Sequence, residues 1–210
     1  DNDYKHPVVL AKELATLDLL SDGRLEIGIG AGWMATDYEQ SGMQYDRPGV
    51  RIDRFLEGLE IIKRAMTGEK FSFSGKHYTI TDYTATPLPV QKPCPPILIG
   101  GGGPRVLKLA AQLADIIGVN PSLKDGVVNG ETIKDMSAEA VQEKIDIITA
   151  NAGARMPDIE LNVRTFLVNI RDSAQEAIEG TANMFKVDPS LVANSPFAIL
   201  GPPAKIAEDL

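Results

Sequence analysis

The sequence predicts an α/β protein with a parallel sheet covered by helices, and three observations predict it. Short aliphatic runs end in glycine clusters at two places, GRLEIGIGAGW over residues 23–33 and PPILIGGGGP over residues 95–104. Strand-like and helical runs alternate along the chain, as they do when helices form the crossovers of a sheet. The strand-like runs are aliphatic, as in strands buried on both faces. Glycine where such a strand finishes removes the side chain and lets another molecule approach the main chain. Both strand ends are therefore expected to point at one bound ligand.

The elements follow in order. His6-Pro7 opens a helix, with proline where its missing N–H costs nothing. Leu10, Leu14 and Leu17 recur at helical spacing beside Ala11 and Ala15, and Asp22-Gly23 ends the helix. Residues 24–29 form a strand. Residues 31–50, rich in Gly, Asp, Met and Tyr, read as a long loop. A helix covers about 51–67, with Phe55, Leu59, Ile62 and Met66 on one face and Gly68 just past its end. Residues 71–80 read as a hairpin turning at Ser74-Gly75. Pro87, Pro89, Pro93, Pro95 and Pro96 mark an extended connector along the surface, not a domain boundary.

A strand at 97–99, a helix at 104–113 and a short apolar strand at 115–119 come next. Residues 121–136 read as a polar loop. Ser137 caps a helix reaching Ala150. Residues 159–170 read as one long strand and 173–185 as a helix. Asp188-Pro189 starts a short helical turn, 198–200 is extended, and Pro203 begins a last helix in which the chain stops at Leu210. No internal repeat or low-complexity tract is visible. This order leaves two architectures open, an open doubly wound sheet and a closed eight-stranded barrel.

Composition narrows the function classes. With 210 residues the chain can build one sizeable core or two small ones. A net charge of −8 argues against a nucleic-acid surface and gives no attraction to an anionic membrane. No apolar run approaches the roughly 20 residues of a spanning helix, and no signal peptide is visible. Cys94, the only cysteine, lies between prolines with no His or second Cys at metal or redox spacing. No metal site is expected, and a reducing, cytoplasmic setting fits.

The glycine clusters match neither common nucleotide motif. In G-x-G-x-x-G, Gly28 and Gly30 fill the first two positions but Trp33 falls on the third, and a long loop follows instead of a helix. No Gly-Lys-Ser or Gly-Lys-Thr exists for a phosphate loop of the Walker type. Gly100, Gly101, Gly102 and Gly103 stand directly before a helix that opens with Pro104, and exposed amides at such a start favour phosphate. The alternative is that these glycines, like Gly28 and Gly30, only permit tight turns or relieve crowding. His6 either caps the first helix or faces a pocket. His77 reads as a solvated strand residue, Trp33 as a packing lid or a wall for an aromatic cofactor, and Arg51, Arg54 and Glu57 as a charged helix face. Scarce acid–base machinery beside a phosphate-type turn is expected where a cofactor carries the chemistry.

An ordered set of segments resembles the bacterial luciferase-like monooxygenases. It comprises HPVVLAK at 6–12, ATLDLLSDGR at 15–24, GIGAGW at 28–33, the helix with Arg51, Arg54 and Glu57, FSGKHY at 73–78, and PPILIGGGG at 95–103. Within that family it looks most similar to the branch using the deazaflavin coenzyme F420. The resemblance covers nearly the whole chain and implies a parallel (β/α) TIM-barrel fold, of which about four of eight barrel strands, near residues 25, 98, 117 and 163, lie in this chain. It implies a single domain over 1–210, truncated at both ends, with loop and hairpin insertions at about 33–50 and 70–83.

The resemblance further implies an oxidoreductase using FMN or F420 to transfer hydride or activate oxygen on a small organic substrate. Gly30, Ala31 and Gly32 would border the ring or ribityl chain, Gly100 to Gly103 would cradle the phosphate end, and Asn2 would sit near the ring. Catalytic residues are not assigned. A homodimer and a separate flavin or F420 reductase are the implied partners. Two alternatives stand beside this reading: a non-catalytic flavin-binding or structural relative, and a nucleotide-binding domain with an open sheet.

Overall fold

A computed structural model describes residues 1–123 and 126–209. The chain divides into two compact units, Asp1–Ile99 with Ala114–Ile116 and Gly100–Leu113 with Ile117–Leu210.

In the first unit a 3-10 turn at Asn2–Tyr4 leads into α1 (Pro7–Ser21). His6 caps it, its Nδ1 accepting from the Val8 amide at 3.3 Å. The helix stops where Asp22 takes a left-handed conformation, with φ 55°, and Gly23 N donates to Asp18 O. β1 (Ile27–Ile29) is shorter than the expected 24–29. Arg24 is drawn back to the helix end instead, its Nε donating to Ser21 O at 2.7 Å.

The expected loop over 31–50 contains a helix, α2 (Ala35–Ser41), whose seven residues bury only Tyr38. Two turns with one buried residue leave too little periodicity to read. α3 (Pro48–Thr67) begins three residues earlier than expected and ends at Gly68, φ 80°. Its buried stripe carries Phe55, Leu59, Ile62 and Met66, and α1 packs on it. β2 (Phe71–Ser74) and β3 (Thr79–Tyr83) form the antiparallel hairpin with Phe73 opposite Ile80, turning through residues 75–78. β4 (Ile97–Gly101) runs parallel to β1, with Ile27↔Ile97 and Ile29↔Ile99 in register and all four isoleucines buried.

The proline-rich connector is irregular and is tied to α1 by a fully buried acid. Asp18 accepts from Gln91 N at 2.9 Å and Gln91 Nε2 at 2.8 Å. Burial raises the Asp18 pKa, but these hydrogen bonds outweigh it and hold the carboxyl below its usual range. Asp18→Asn would set an amide N–H₂ against one of the Gln91 donors. The expected cost is about 2 kcal/mol, since a buried donor is left without an acceptor. It is read as a lower urea midpoint at unchanged slope.

In the second unit the end of β4 passes into α4 (Pro104–Leu113), and β5 (Ile116–Val119), buried at every position, follows. α5 (Gly130–Lys134) lies inside the expected polar loop 121–136. Asn129 builds it locally: its Oδ1 accepts from the Glu131 and Thr132 amides at 3.0 and 3.1 Å, and Thr132 Oγ1 accepts from Asn129 N at 3.1 Å. Lys124 and Asp125 of that loop lie outside the described residues. α6 (Ala138–Ala152) starts at the Ser137 cap and packs on α4.

The single strand expected at 159–170 is two strands, β6 (Glu160–Val163) and β7 (Leu167–Ile170). β6 neighbours β5. β7 leaves that sheet and pairs in parallel with β8 (Ala198–Gly201), which follows α7 (Ala174–Phe185) and α8 (Pro189–Ala193). The break has a tertiary cause: the Phe166 and Leu167 amides both donate to Phe197 O, and the Phe166 ring packs against Phe197 with centroids 5.8 Å apart. α9 (Pro203–Asp209) closes the described chain; Leu210, in the expected last helix, lies outside it. Among the described residues no helix is long and apolar enough to cross a membrane.

Candidate functional site

The expected site residues fall into two sets. Asn2, Gly30, Ala31 and Gly32 belong to the first unit, and Gly100 to Gly103 to the second.

In the first unit Gly30 follows the end of β1, and Asn2 N donates to Gly30 O at 3.0 Å, so these two residues do stand together. The Asn2 side chain turns inward. Its Nδ2 donates to the Tyr78 hydroxyl at 3.2 Å, and its Oδ1, buried and without a partner, lies over Gly58 of α3, where a β-carbon would collide with it. The glycines serve different purposes. A β-carbon on Gly30 would meet nothing within 4 Å among the described residues. Gly32 has φ 77°, and a β-carbon there would run into the Tyr38 hydroxyl. Gly32 is thus demanded by the turn and by packing, whereas Gly30 leaves main chain bare beside open space. A cavity of about 180 Å³ borders the same strand, lined by Tyr4, Leu10, Leu14, Ile27, Gly28 and Ile29 among others.

Residues 31–34 are all half-buried. Among the described residues, the amides of Ala31, Gly32, Trp33 and Met34 have no hydrogen-bond acceptor. Two carbonyls of this segment are held by side chains: Arg51 Nη2 donates to Gly32 O at 3.3 Å, and the Tyr45 hydroxyl donates to Trp33 O at 2.8 Å. Arg51 also donates to Asp46 O, and its guanidinium lies over the Tyr45 ring at 4.2 Å.

Below this segment lies an ionic knot. Arg54 grips Asp3 with two hydrogen bonds of 2.7 Å and reaches Asp46 at 2.8 Å, and the Tyr38 hydroxyl donates to Asp3 at 3.0 Å. Burial acts to raise the Asp3 pKa, but Arg54 and Tyr38 together overcome it and hold the carboxyl below its usual range. Burial, then the Asp3 carboxylate, push the Tyr38 phenol far above its ordinary value.

The reading of Arg51, Arg54 and Glu57 as a charged helix face is corrected here. Arg51 is only 4 % exposed. Glu57 accepts from the Lys76, His77 and Tyr78 amides at 2.8, 2.8 and 3.1 Å and so shapes the hairpin turn. Burial tends to raise the Glu57 pKa, and those three amides lower it below the usual range. His77 sits in that turn and not in a strand, with its Nε2 buried and unpartnered.

In the second unit Gly100 and Gly101 finish β4, and Gly102 and Gly103 lead into α4. Asn120 N donates to Gly101 O at 3.0 Å. A β-carbon on Gly101 would lie 2.5 Å from Val106 Cγ1, and one on Gly100 would lie 2.9 Å from Asn120 Nδ2. On Gly102 it would overlap main-chain atoms of Asn120 and Pro121, but on Gly103 it would meet nothing within 4 Å among the described residues. Gly103 O accepts the amide of Leu107, so this bare residue stands at the start of α4.

Sequence reasoning missed Arg51 and Tyr45. A signal for Arg51 existed: it stands four and eight residues before Phe55 and Leu59, on the apolar stripe of α3. Tyr45 has no such signal, because it acts from irregular chain.

The sequence profile of the luciferase-like monooxygenase family matches residues 3–206. The chain is 29 % identical over 187 residues to an FMNH2-dependent dimethylsulfone monooxygenase of Pseudomonas putida, covering 89 % of this chain and 47 % of that protein. It is 34 % identical over 110 residues to an F420-dependent glucose-6-phosphate dehydrogenase of Microbacterium testaceum (strain StLB037), covering 52 % of this chain and 32 % of that one. It thus spans about half the length, or less, of these relatives. In structure it is similar to the coenzyme F420 dependent tetrahydromethanopterin reductase of Methanopyrus kandleri, with TM-score 0.71 and 20 % identity over 98 % of this chain and 69 % of that one. The fold is accordingly of the luciferase-like TIM-barrel type, carried here by few strands.

Proposed function

We infer function from one premise: the chain belongs to the luciferase-like monooxygenase family. The proposed function is an oxidoreductase that binds FMN or F420 and acts on a small organic substrate. Bound, such a group supplies hydride or activates oxygen. The observation that carries the reading is bare main chain at Gly30, directly after β1 in the first unit. Bare main chain at Gly103, before α4 in the second unit, supports it separately.

These residues fit a flat, phosphorylated cofactor. Gly30 would leave room for a ring, and the amides of residues 31–34 would donate to its polar edge. By family kinship Gly103, at the start of α4, would border the phosphate end. Trp33 would limit water at the ring. Family kinship extends the proposal to a homodimer fed with reduced cofactor by a separate reductase, working in the cytoplasm.

Trp33 is the only tryptophan in the chain, so its emission reports on the site directly. Titrating the purified protein with FMN and with F420, oxidised and reduced, is expected to quench Trp33 with a dissociation constant in the tens of micromolar or tighter for one of them. Absence of binding by either cofactor overturns the proposal. Preference between the two separates a flavin enzyme from an F420 enzyme, since the relatives include both kinds.

A further inference from the structure

We propose that Arg51 and Tyr45 are positioning residues for the cofactor, which they serve by gripping carbonyls and thereby presenting amides. The proposal rests on the reading above that residues 30–32 meet the cofactor. A trans peptide is planar, and its C=O and N–H point in opposite directions. Three peptide planes of this segment are held by their oxygens: Gly30 O by Asn2 N, Gly32 O by Arg51 Nη2 and Trp33 O by the Tyr45 hydroxyl. The N–H groups sharing those planes belong to Ala31, Trp33 and Met34. Each is thereby aimed away from the groups that grip the carbonyl, and none has an acceptor among the described residues.

Amides of half-buried residues that have no protein acceptor among the described residues are open to an acceptor on a ligand. Behind the row Arg51 is nearly buried, and among the described residues its partners are the Gly32 and Asp46 carbonyls and the Tyr38 and Tyr45 rings. Those contacts fix the guanidinium and with it the Gly32 peptide plane. Amide donors left open in this way suit the electron-rich edge of a carbonyl-bearing ring. Neither Arg51 nor Tyr45 needs to touch the ring to do this.

Tyr45→Phe removes only the hydroxyl that holds Trp33 O, and Arg51→Lys keeps the charge but loses the fork. Each variant is titrated with FMN and F420, Trp33 accessibility to acrylamide is measured with and without cofactor, and the thermal midpoint is recorded. Tyr45→Phe is expected to weaken binding about 5–10-fold, the value of one hydrogen bond, with the midpoint within about 3 °C of the parent. Arg51→Lys is expected to weaken it further. Both should make Trp33 more accessible to acrylamide in the free protein, and cofactor should reverse the change. Should Arg51→Lys not fold, Tyr45→Phe decides alone. Parental affinity with unchanged Trp33 accessibility overturns the inference, as does a lowered midpoint with parental affinity, which marks a merely structural role. If the parent itself binds neither cofactor, the functional reading fails first and this inference falls with it.

Discussion

Arg54→Ala is expected to remove about 3–5 kcal/mol of folding stability, the usual result of taking one partner from a buried ion pair. For a chain of this length that lowers the thermal midpoint by roughly 6–20 °C. The size follows from what is left behind. The Asp3 side chain is 5 % exposed and receives two of its hydrogen bonds from Arg54. Without Arg54 it keeps the Tyr38 hydroxyl and no opposite charge within reach among the described residues. The pair Arg64–Glu60, on the same helix, is the control. Its side chains are 46 % and 49 % exposed, so Arg64→Ala should cost less than about 1 kcal/mol.

The pH dependence has a definite sign. Asp3 in the folded protein sits below its ordinary pKa, so the folded state binds that proton less readily than the unfolded chain does. Its contribution is complete above the unfolded value, near 3.8, and is lost as pH falls through the lower folded value. In Arg54→Ala burial acts without the guanidinium, so Asp3 takes up its proton at higher pH than in the parent. The stability gap between the two proteins is therefore expected to be flat from about pH 6 to 8 and to narrow below about pH 4. Urea denaturation at several pH values measures it. A gap under 1 kcal/mol at pH 7 would show that the knot does not bear on stability, and one that persists unchanged at pH 3 would show that the Asp3 charge is not its source.

The elements that were legible in sequence are those with local causes. Pro7 and Asp22 bound α1, Gly68 ends α3, Ser137 starts α6 and Ser173 starts α7, because caps and left-handed turns are decided by neighbours within one turn of the chain. The α2 and α5 helices were not legible, having too few residues to show a period. The division of residues 159–170 was illegible for a different reason. Phe197, the residue that redirects the chain at Phe166, lies 31 positions away, and no window around Phe166 contains it. At the site the glycine runs were visible but their division of labour was not. Whether a missing side chain makes room for Tyr38, for Pro121 or for a ligand depends on what folds against it. Arg51 stands four residues before Phe55 on the inner stripe of α3, but beside Arg54 and Glu57 it reads in sequence as part of a charged helix face, as arginine mostly is.

That division of labour yields the second large effect, in adjacent residues of the second unit. Gly102→Ala is expected to cost about 3 kcal/mol, at the upper end for overpacking, because the added methyl overlaps main-chain atoms of Asn120 and Pro121 and no flexible side chain is there to yield. The loop after β5 would have to move, and Asn120 N would be pulled from Gly101 O. Gly103→Ala adds the same methyl one residue later, where it meets nothing within 4 Å among the described residues. Stability should then change by less than about 0.5 kcal/mol, with alanine restricting the unfolded chain slightly in compensation.

The two variants part again in binding. If Gly103 seats the phosphate end of a cofactor, a methyl on it intrudes on a close approach, and affinity should fall about tenfold or more, the 1–3 kcal/mol of a misplaced methyl in a tight fit. Thermal melts and Trp33-detected titrations on the same samples separate the two effects. A Gly103→Ala protein that melts like the parent and binds FMN and F420 like the parent would leave Gly103 as a turn residue only, and the phosphate would have to be sought elsewhere. A stable protein with weakened binding assigns the effect to the ligand, because the described residues place nothing there for the methyl to strike.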